Sequence, residues 1–417
     1  KCYNNNNIER IFNLSITLDK NVDLIDLIDL TKISKLEKLY CSEIEIKNLS
    51  NNFIYTKKID LLNNKIDANY GKNFTQKYIN YFKKNKNLLT LNNNKTIIKE
   101  NILIPANYEV SIKPGQEIVL IDNAFIFSNS PWTVNGMEDE IKIGGMIDNF
   151  GGGLIIKNAP TKSSFNNVKI SYLTGLKNHT FDKESSKYLL TKTVYNINKK
   201  NSYDEKIFEQ LNFSNIENQK YRIYGAINFL KSEVEMSNVK FEKINSEDAL
   251  NIINSAFYLD NIFFSEIGSD AIDVDFGVGI IKNSSFINIL DDAIDFSGST
   301  AELDNVMMNI VGDKMVSIGE KSILKISNLT GNQSKIGIAN KDGSFAKIKN
   351  IYISNSDVAI AAYKKKNEYH GSTLIANNVN ISDSNLDFLV DSFSKITLEN
   401  KLIIDNNVNI EEIKNTF

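Results

Sequence analysis

Proline is scarce in this sequence. The 417 residues hold four, Pro105, Pro114, Pro131 and Pro160, and the 257 residues after Pro160 hold none. Proline cannot donate to a ladder of backbone hydrogen bonds, so its long absence suits continuous strand pairing. Histidine and cysteine are scarcer still. His179, His370, Cys2 and Cys41 are the full set, too few for a His/Cys zinc cluster or a redox motif and poor material for a Ser-His-Asp triad. An excess of one charge is also missing. Lys and Arg number 48 against 51 Asp and Glu, a net charge of −3, which excludes both the basic footprint of a nucleic-acid binder and an acidic tail. No apolar run approaches the roughly 18 residues of a membrane span.

Against these absences stands a repeat. Asp248-Ala249-Leu250, Asp270-Ala271-Ile272-Asp273 and Asp292-Ala293-Ile294-Asp295 follow one another at 22-residue intervals. Between them recur Val239-Lys240-Phe241, Ile262-Phe263-Phe264, Ser284-Ser285-Phe286 and Val306-Met307-Met308. Each unit reads as short strand, Asn/Ser/Gly turn, short strand, because branched and aromatic residues suit strands and the small polar ones suit tight turns. No helical pattern separates the strands, so a Rossmann or barrel crossover does not fit. Leucine-rich repeats share the period but not the motif. The period predicts an all-β, right-handed parallel β-helix over about 96–410, with coils stacked about 4.8 Å apart. A less regular version of the rhythm runs upstream, from Ile102-Leu103-Ile104 to Leu154-Ile155-Ile156. Trp132 and the prolines fall in those first coils.

Two segments break the pattern. Residues 176–221 read as a charged loop insertion on the stacked scaffold. Residues 1–95 read as a small N-terminal α+β cap or accessory element, in which Tyr78, Ile79 and Phe82 give one weak amphipathic helix near 74–86. Residues 411–417 are left as a tail. Cys2 and Cys41 are either a disulfide of an exported chain or two free thiols.

The repeats resemble the right-handed parallel β-helix superfamily that includes pectate lyases and polygalacturonases. Several blocks are more specific: Ser269-Asp270-Ala271-Ile272-Asp273, Asp292-Ala293-Ile294-Asp295-Phe296-Ser297-Gly298-Ser299, Gly312-Asp313-Lys314, Ser317-Ile318-Gly319-Glu320, Asn340-Lys341-Asp342-Gly343-Ser344 and Ala362-Tyr363-Lys364-Lys365-Lys366. They look like the β-helix domain attached in bacteria to spore-coat-protein-H-type kinase-like proteins. The resemblance implies the fold over about 100–400 and a kinase-like partner protein, and carries little chemistry. No kinase-like domain is recognisable in 1–95.

Chemistry is sought where the period stacks side chains. Applied strictly, it lines up Asp248, Asp270, Asp292 and Lys314. With Ile272, Val274, Phe276, Ile294 and Phe296 pointing inward, alternation sends Asp273, Asp275 and Asp295 outward. Like carboxylates one strand apart repel unless a cation, a lysine or a raised pKa relieves them. Three readings follow. In the first, Asp273, Asp275 and Asp295 hold Ca²⁺ against a uronate while a partly desolvated Lys314 abstracts a proton, as a lyase would. In the second, Asp270, Asp291 and Asp292 match the one-coil spacing of polygalacturonase aspartates, with Asp292 as acid. The Gly-His-Gly and Arg-Ile-Lys blocks of that family are absent, Asp313-Lys314-Met315 standing near the first. In the third, the aspartates cap turns on every coil. Glu320, Lys341, Tyr363 and Lys364 lie at about the same phase further along and are the expected substrate contacts. The overall expectation is an exported or cell-surface (or periplasmic) bacterial carbohydrate-active protein, binding an acidic or polar polysaccharide on the flank from Asp270 to Lys366. The alternative is a non-catalytic scaffold or adhesion protein.

Overall fold

A computed structural model describes residues 77–175 and 225–403, together with the short strands Cys2–Tyr3, Glu9–Arg10, Tyr40–Cys41, Glu43–Lys47 and Ile54–Lys58. The chain divides into two compact units, Lys1–Tyr70 with Leu211–Tyr221, and Gly71–Gln210 with Arg222–Phe417. In the first, the described strands form two small antiparallel sheets, and Cys2 and Cys41 are directly opposed. The 176–221 insertion and the 411–417 tail lie outside the described residues.

The second unit is a parallel β-helix. Register shows how the sequence builds it: between the end coils, each strand pairs in parallel with the strand one coil earlier and one coil later. One wall runs Val134, Phe165, Met236, Leu259, Ile281, Leu303, Ile326, Ile348, Ala376, Leu398, each the partner of the next. A second wall runs Ile227, Leu250, Ile272, Ile294, Val316, Ile338, Ile360, Phe388. These columns are buried apart from their last members, and they enclose a single apolar core. Phe241, Phe264 and Phe286 stack nearly parallel inside it, with centroids 4.6 and 5.1 Å apart. That spacing is the coil rise itself, so the backbone ladder and the ring stack reinforce one another.

Polar ladders hold the corners. Asn238, Asn261, Asn283, Asn305, Asn328, Asn350 and Asn378 all adopt φ between 51° and 56°. Asparagine tolerates this left-handed conformation far better than branched residues do. Their amides also chain from coil to coil, as in Asn305 Nδ2 to Asn283 Oδ1 at 2.8 Å and Asn350 Nδ2 to Asn328 Oδ1 at 2.9 Å. At another corner, buried serine hydroxyls accept the N–H of the preceding coil: Ser255 from Ser232, Ser299 from Gly277, Ser322 from Ser299, Ser344 from Ser322, Ser394 from Ser372. Each buried amide donor is thereby satisfied.

Two expectations are corrected. The helix near 74–86 is instead a 3₁₀ turn, Lys77–Asn80, followed by strand Phe82–Asn85, which runs antiparallel to Leu88–Leu91 at the start of the coils. The turn is made by Lys86 at φ 53°, and Phe82 packs edge-on to the buried Trp132 at 6.3 Å. Covering the first coil outweighs a weak helical pattern. Phe276 does not point inward either. Strand Asp270–Asp275 ends before it, and a left-handed turn at φ 54° leaves it 61% exposed. No helix among the described residues is long and apolar enough to cross a membrane.

Candidate functional site

Polar positions of the second wall form three rows. In the first, Asp248 is paired with Asp270, and Asp292 and Lys314 follow at one-coil steps, linked by Ala271 N–H to Asp292 O and Ala293 N–H to Lys314 O. Asp270 Oδ1 accepts the N–H of Asp292, and Asp292 Oδ1 accepts the N–H of Lys314, both at 2.9 Å. In the second row Asn251, Asp273, Asp295 and Ser317 are successive partners. The third holds Asp275, Ser297 and Gly319. The second and third rows follow from a two-residue alternation repeated every 22 residues, whereas the first, two residues before the inward Leu250, Ile272, Ile294 and Val316, lies at the strand starts and is largely buried.

Rows one and two converge. Asp270, Asp292 and Asp295 each bring one carboxylate oxygen within 4.8 Å of the others, and so do Asp291, Asp292 and Asp313. Asp292 and Lys314 are buried, Asp270, Asp295 and Asp313 are half-buried, and Asp291 is exposed. The Lys314 ammonium lies 3.3 Å from Asp292 Oδ1 and also donates to Asp313, which has Lys335 4.0 Å away on its other side. Asn251 gives its amide to Asp248 Oδ2 at 2.7 Å and to Asp273 Oδ2 at 3.2 Å. Asp295 Oδ1, Ser317 Oγ and Asn251 Oδ1 are buried without a hydrogen-bond partner. Three unsatisfied polar atoms on one row depart from the full satisfaction seen at the corners.

Electrostatics follows from this crowding. Burial, opposed by Lys314 and reinforced by Asp295, lifts Asp292 to about 7. Burial and then Asp292 push Asp270 well above the ordinary carboxyl range, and burial with Asp248 does the same to Asp273. Asp275 is lifted to about 6 by burial and Asp295, and Asp291 is raised by partial burial and Asp313. Crowding of buried carboxyls thus favours the protonated form of Asp292 and Asp275 toward neutral pH. Lys314 moves the other way from a base. Burial works against its charge, but Asp292 and Asp313 overcome this and raise its pKa, so it stays an ammonium ion. The proton-abstracting role expected of Lys314 is therefore corrected.

The remaining expected residues are placed as follows. Asp273, Asp275 and Asp295 do not bring three oxygens together as a cation would need; the sets that do are Asp270, Asp292 and Asp295, and Asp291, Asp292 and Asp313. Tyr363 is only 3% exposed, inside a small apolar cluster with Ile336, Ala339, Val358, Ala361 and Leu389, so it offers no open ring face. Lys341 is buried nearby; burial disfavours its charge, yet Asp295, Tyr363 and Asp292 hold its pKa up. Glu320 is ion-paired with Lys366. Lys364 stands apart, its ammonium 5.4 Å from the Phe393 ring and its N–H on Asp391 Oδ2 at 2.8 Å. Asp313, Lys335 and Lys365 belong to the charged group although the sequence reading passed over them. Partial burial with the Lys341 and Lys314 ammoniums pushes Lys365 down. The signal for Asp313 was present, since it follows Asp291 by the same 22 residues.

The class defined so far is a parallel β-helix with a carboxyl-rich, lysine-bounded flank. A scan of family models finds no match, and a search of curated proteins finds none. Among solved structures, the chain is similar to the catalytic domain of a GH87 α-1,3-glucanase mutant in complex with nigerose, at 9% identity and a TM-score of 0.42, over 72% of this chain and 62% of that one. It thus spans less than two thirds of the glucanase domain. It is similar also to a mutant of the periplasmic alginate epimerase AlgG (11% identity, TM-score 0.35, 76% of this chain and 79% of that one) and to the Yersinia enterocolitica family 28 exopolygalacturonase (12% identity, TM-score 0.32, 72% and 71%). At such identities the likeness is one of fold.

Proposed function

We propose that this flank binds a polar or acidic polysaccharide and hydrolyses it, in an exported or surface-associated protein. The observation that carries the reading is the convergence of Asp270, Asp292 and Asp295 beside the fixed Lys314 ammonium. A carboxyl still protonated near pH 7 is what protonation of a glycosidic oxygen requires, and Asp292 at about 7 has that property. Asp292 Oδ1 is occupied by Lys314, so Oδ2 is the oxygen that carries the proton. Asp270, half-buried and closer to solvent, belongs to the same carboxyl cluster, and the exposed Asp291 sits at its open edge. Lys341 and Lys365 supply positive charge for an acidic sugar. The donor set also fits a hard cation: oxygen ligands only, with Asp295 Oδ1 lacking a partner. Asp270, Asp292 and Asp295 would hold Ca²⁺ only as ionised carboxylates, so the ion would supply charge neutralisation for a substrate uronate in an elimination, as the alternative to hydrolysis with Asp292 as acid.

Reducing ends released from polygalacturonate, alginate and α-1,3-glucan test this. Hydrolysis predicts new reducing ends without an unsaturated product, lost in Asp292→Asn. An unsaturated product would replace hydrolysis with elimination. Release from none of the three by folded protein would overturn catalysis. One observation then favours a scaffold: Asp270 and Asp292 both accept backbone N–H groups of the next coil, as turn-capping aspartates do. That scaffold would partner another protein, for which a kinase-like protein is the proposal.

A further inference from the structure

One corner of each coil passes through a left-handed residue, in register every 22 residues: Asn254 (φ 49°), Phe276 (φ 54°), Gly298 (φ 62°), Glu320 (φ 57°) and Asp342 (φ 53°). Asparagine, glycine and aspartate accept this conformation, whereas a bulky aromatic is strained in it. Burial could offset such strain, yet Phe276 is 61% exposed. Its ring lies against the bare backbone of the next coil, since a Cβ at Gly298 would stand 2.7 Å from Phe276 Cδ1. An exposed, strained aromatic seated on a glycine follows directly on Asp275, in the third row of the flank. Local rules broken without a gain in stability mark functional positions.

We propose that Phe276 is a stacking platform for a pyranose ring, which fixes one end of a polysaccharide chain laid along this corner. The inference rests on the glycan reading above and adds to it the residue that seats the sugar. A pyranose has an apolar C–H face and a polar rim. The Phe276 ring matches the face, and Asp275, Glu320 and Lys366 lie along the same corner to meet the rim. A second exposed ring, Phe393 at 62% exposure with the Lys364 ammonium 5.4 Å from its centre, lies five coils further on. At one coil rise of about 4.8 Å, that is roughly 24 Å along the axis. The two rings bracket the charged segment between them.

Affinity electrophoresis in gels containing polygalacturonate, alginate or dextran tests the platform. Wild-type protein is expected to be retarded in at least one gel, Phe276→Ala to bind about tenfold more weakly, and Phe276→Trp to restore retardation. Phe276→Asn separates binding from folding. It suits the left-handed corner, so it should raise Tm while losing retardation. If Phe276→Ala and Phe276→Asn are retarded like wild type, the platform is refuted and the flank reading stands. Wild-type protein retarded by none of the three polymers overturns both.

Discussion

Raising the pH from about 5 to about 8 should destabilise this protein, and Asp292 gives the magnitude. Its pKa rises from an ordinary 3.8 to about 7 in the folded state. The folded chain therefore binds more protons than the unfolded chain between those values, and stability falls as pH rises through the folded pKa. The contribution is fully present below the unfolded value and gone above about 7. At 1.36 kcal/mol per unit the whole effect is at most about 4 kcal/mol, of which roughly 2.5 kcal/mol falls within the pH window named. Asp275, lifted to about 6, and the raised Asp270 and Asp273 act in the same direction. Because these groups titrate together, their effects do not simply add. Urea midpoints measured across the window should drop steadily. In Asp292→Asn, which mimics the protonated acid, the drop should flatten. A midpoint that is level or rising with pH in wild type, or an unchanged slope in Asp292→Asn, would refute the assignment of the protons to this cluster.

Two further outcomes follow from the same geometry. Lys314→Met leaves the buried Asp292 and the half-buried Asp313 without their ammonium ion and should cost about 3–5 kcal/mol. In an Asp292→Asn background it should cost clearly less, and strict additivity in the double-mutant cycle would show that the ion pair carries no weight. Asn305→Ala places a Cβ-bearing residue without an amide at φ 54° and breaks the link to Asn283; the expected loss is about 1–2 kcal/mol in the urea midpoint, with Asn305→Gly costing less.

The coil was legible because a period of 22 needs only counting. Asp248, Asp270, Asp292 and Lys314 were aligned by number alone, and the backbone register places them in one row. Three things were not legible. Phe276 looked like the next inward residue of an alternation, and nothing in its neighbours announced that the strand would stop at Asp275. Tyr363 looked exposed, yet the strands around it assemble an apolar cluster outside the main core, which depends on packing between coils rather than on local pattern. Lys314 read either as a charge partner of Asp292 or as a desolvated base, and the sequence did not show that Asp313 would join Asp292 in enclosing it. The partners of a buried charge decide the direction of its pKa, and here one, Asp292, is a coil away in space and 22 residues away in sequence, while the other, Asp313, is the adjacent residue.

The antiparallel strands at the two ends of the coils have a consequence for self-association. A stack of parallel strands 4.8 Å apart is a template that a second chain can extend, as in a fibril. Here Phe82–Asn85 runs against Leu88–Leu91 at the first coil, and Lys401–Ile403 runs against Lys395–Leu398 at the last. Each reversal presents an incoming coil with a short strand pointing the wrong way. On the one wall that each reversal covers, an incoming parallel coil meets a strand of opposite direction, which disfavours templated addition there.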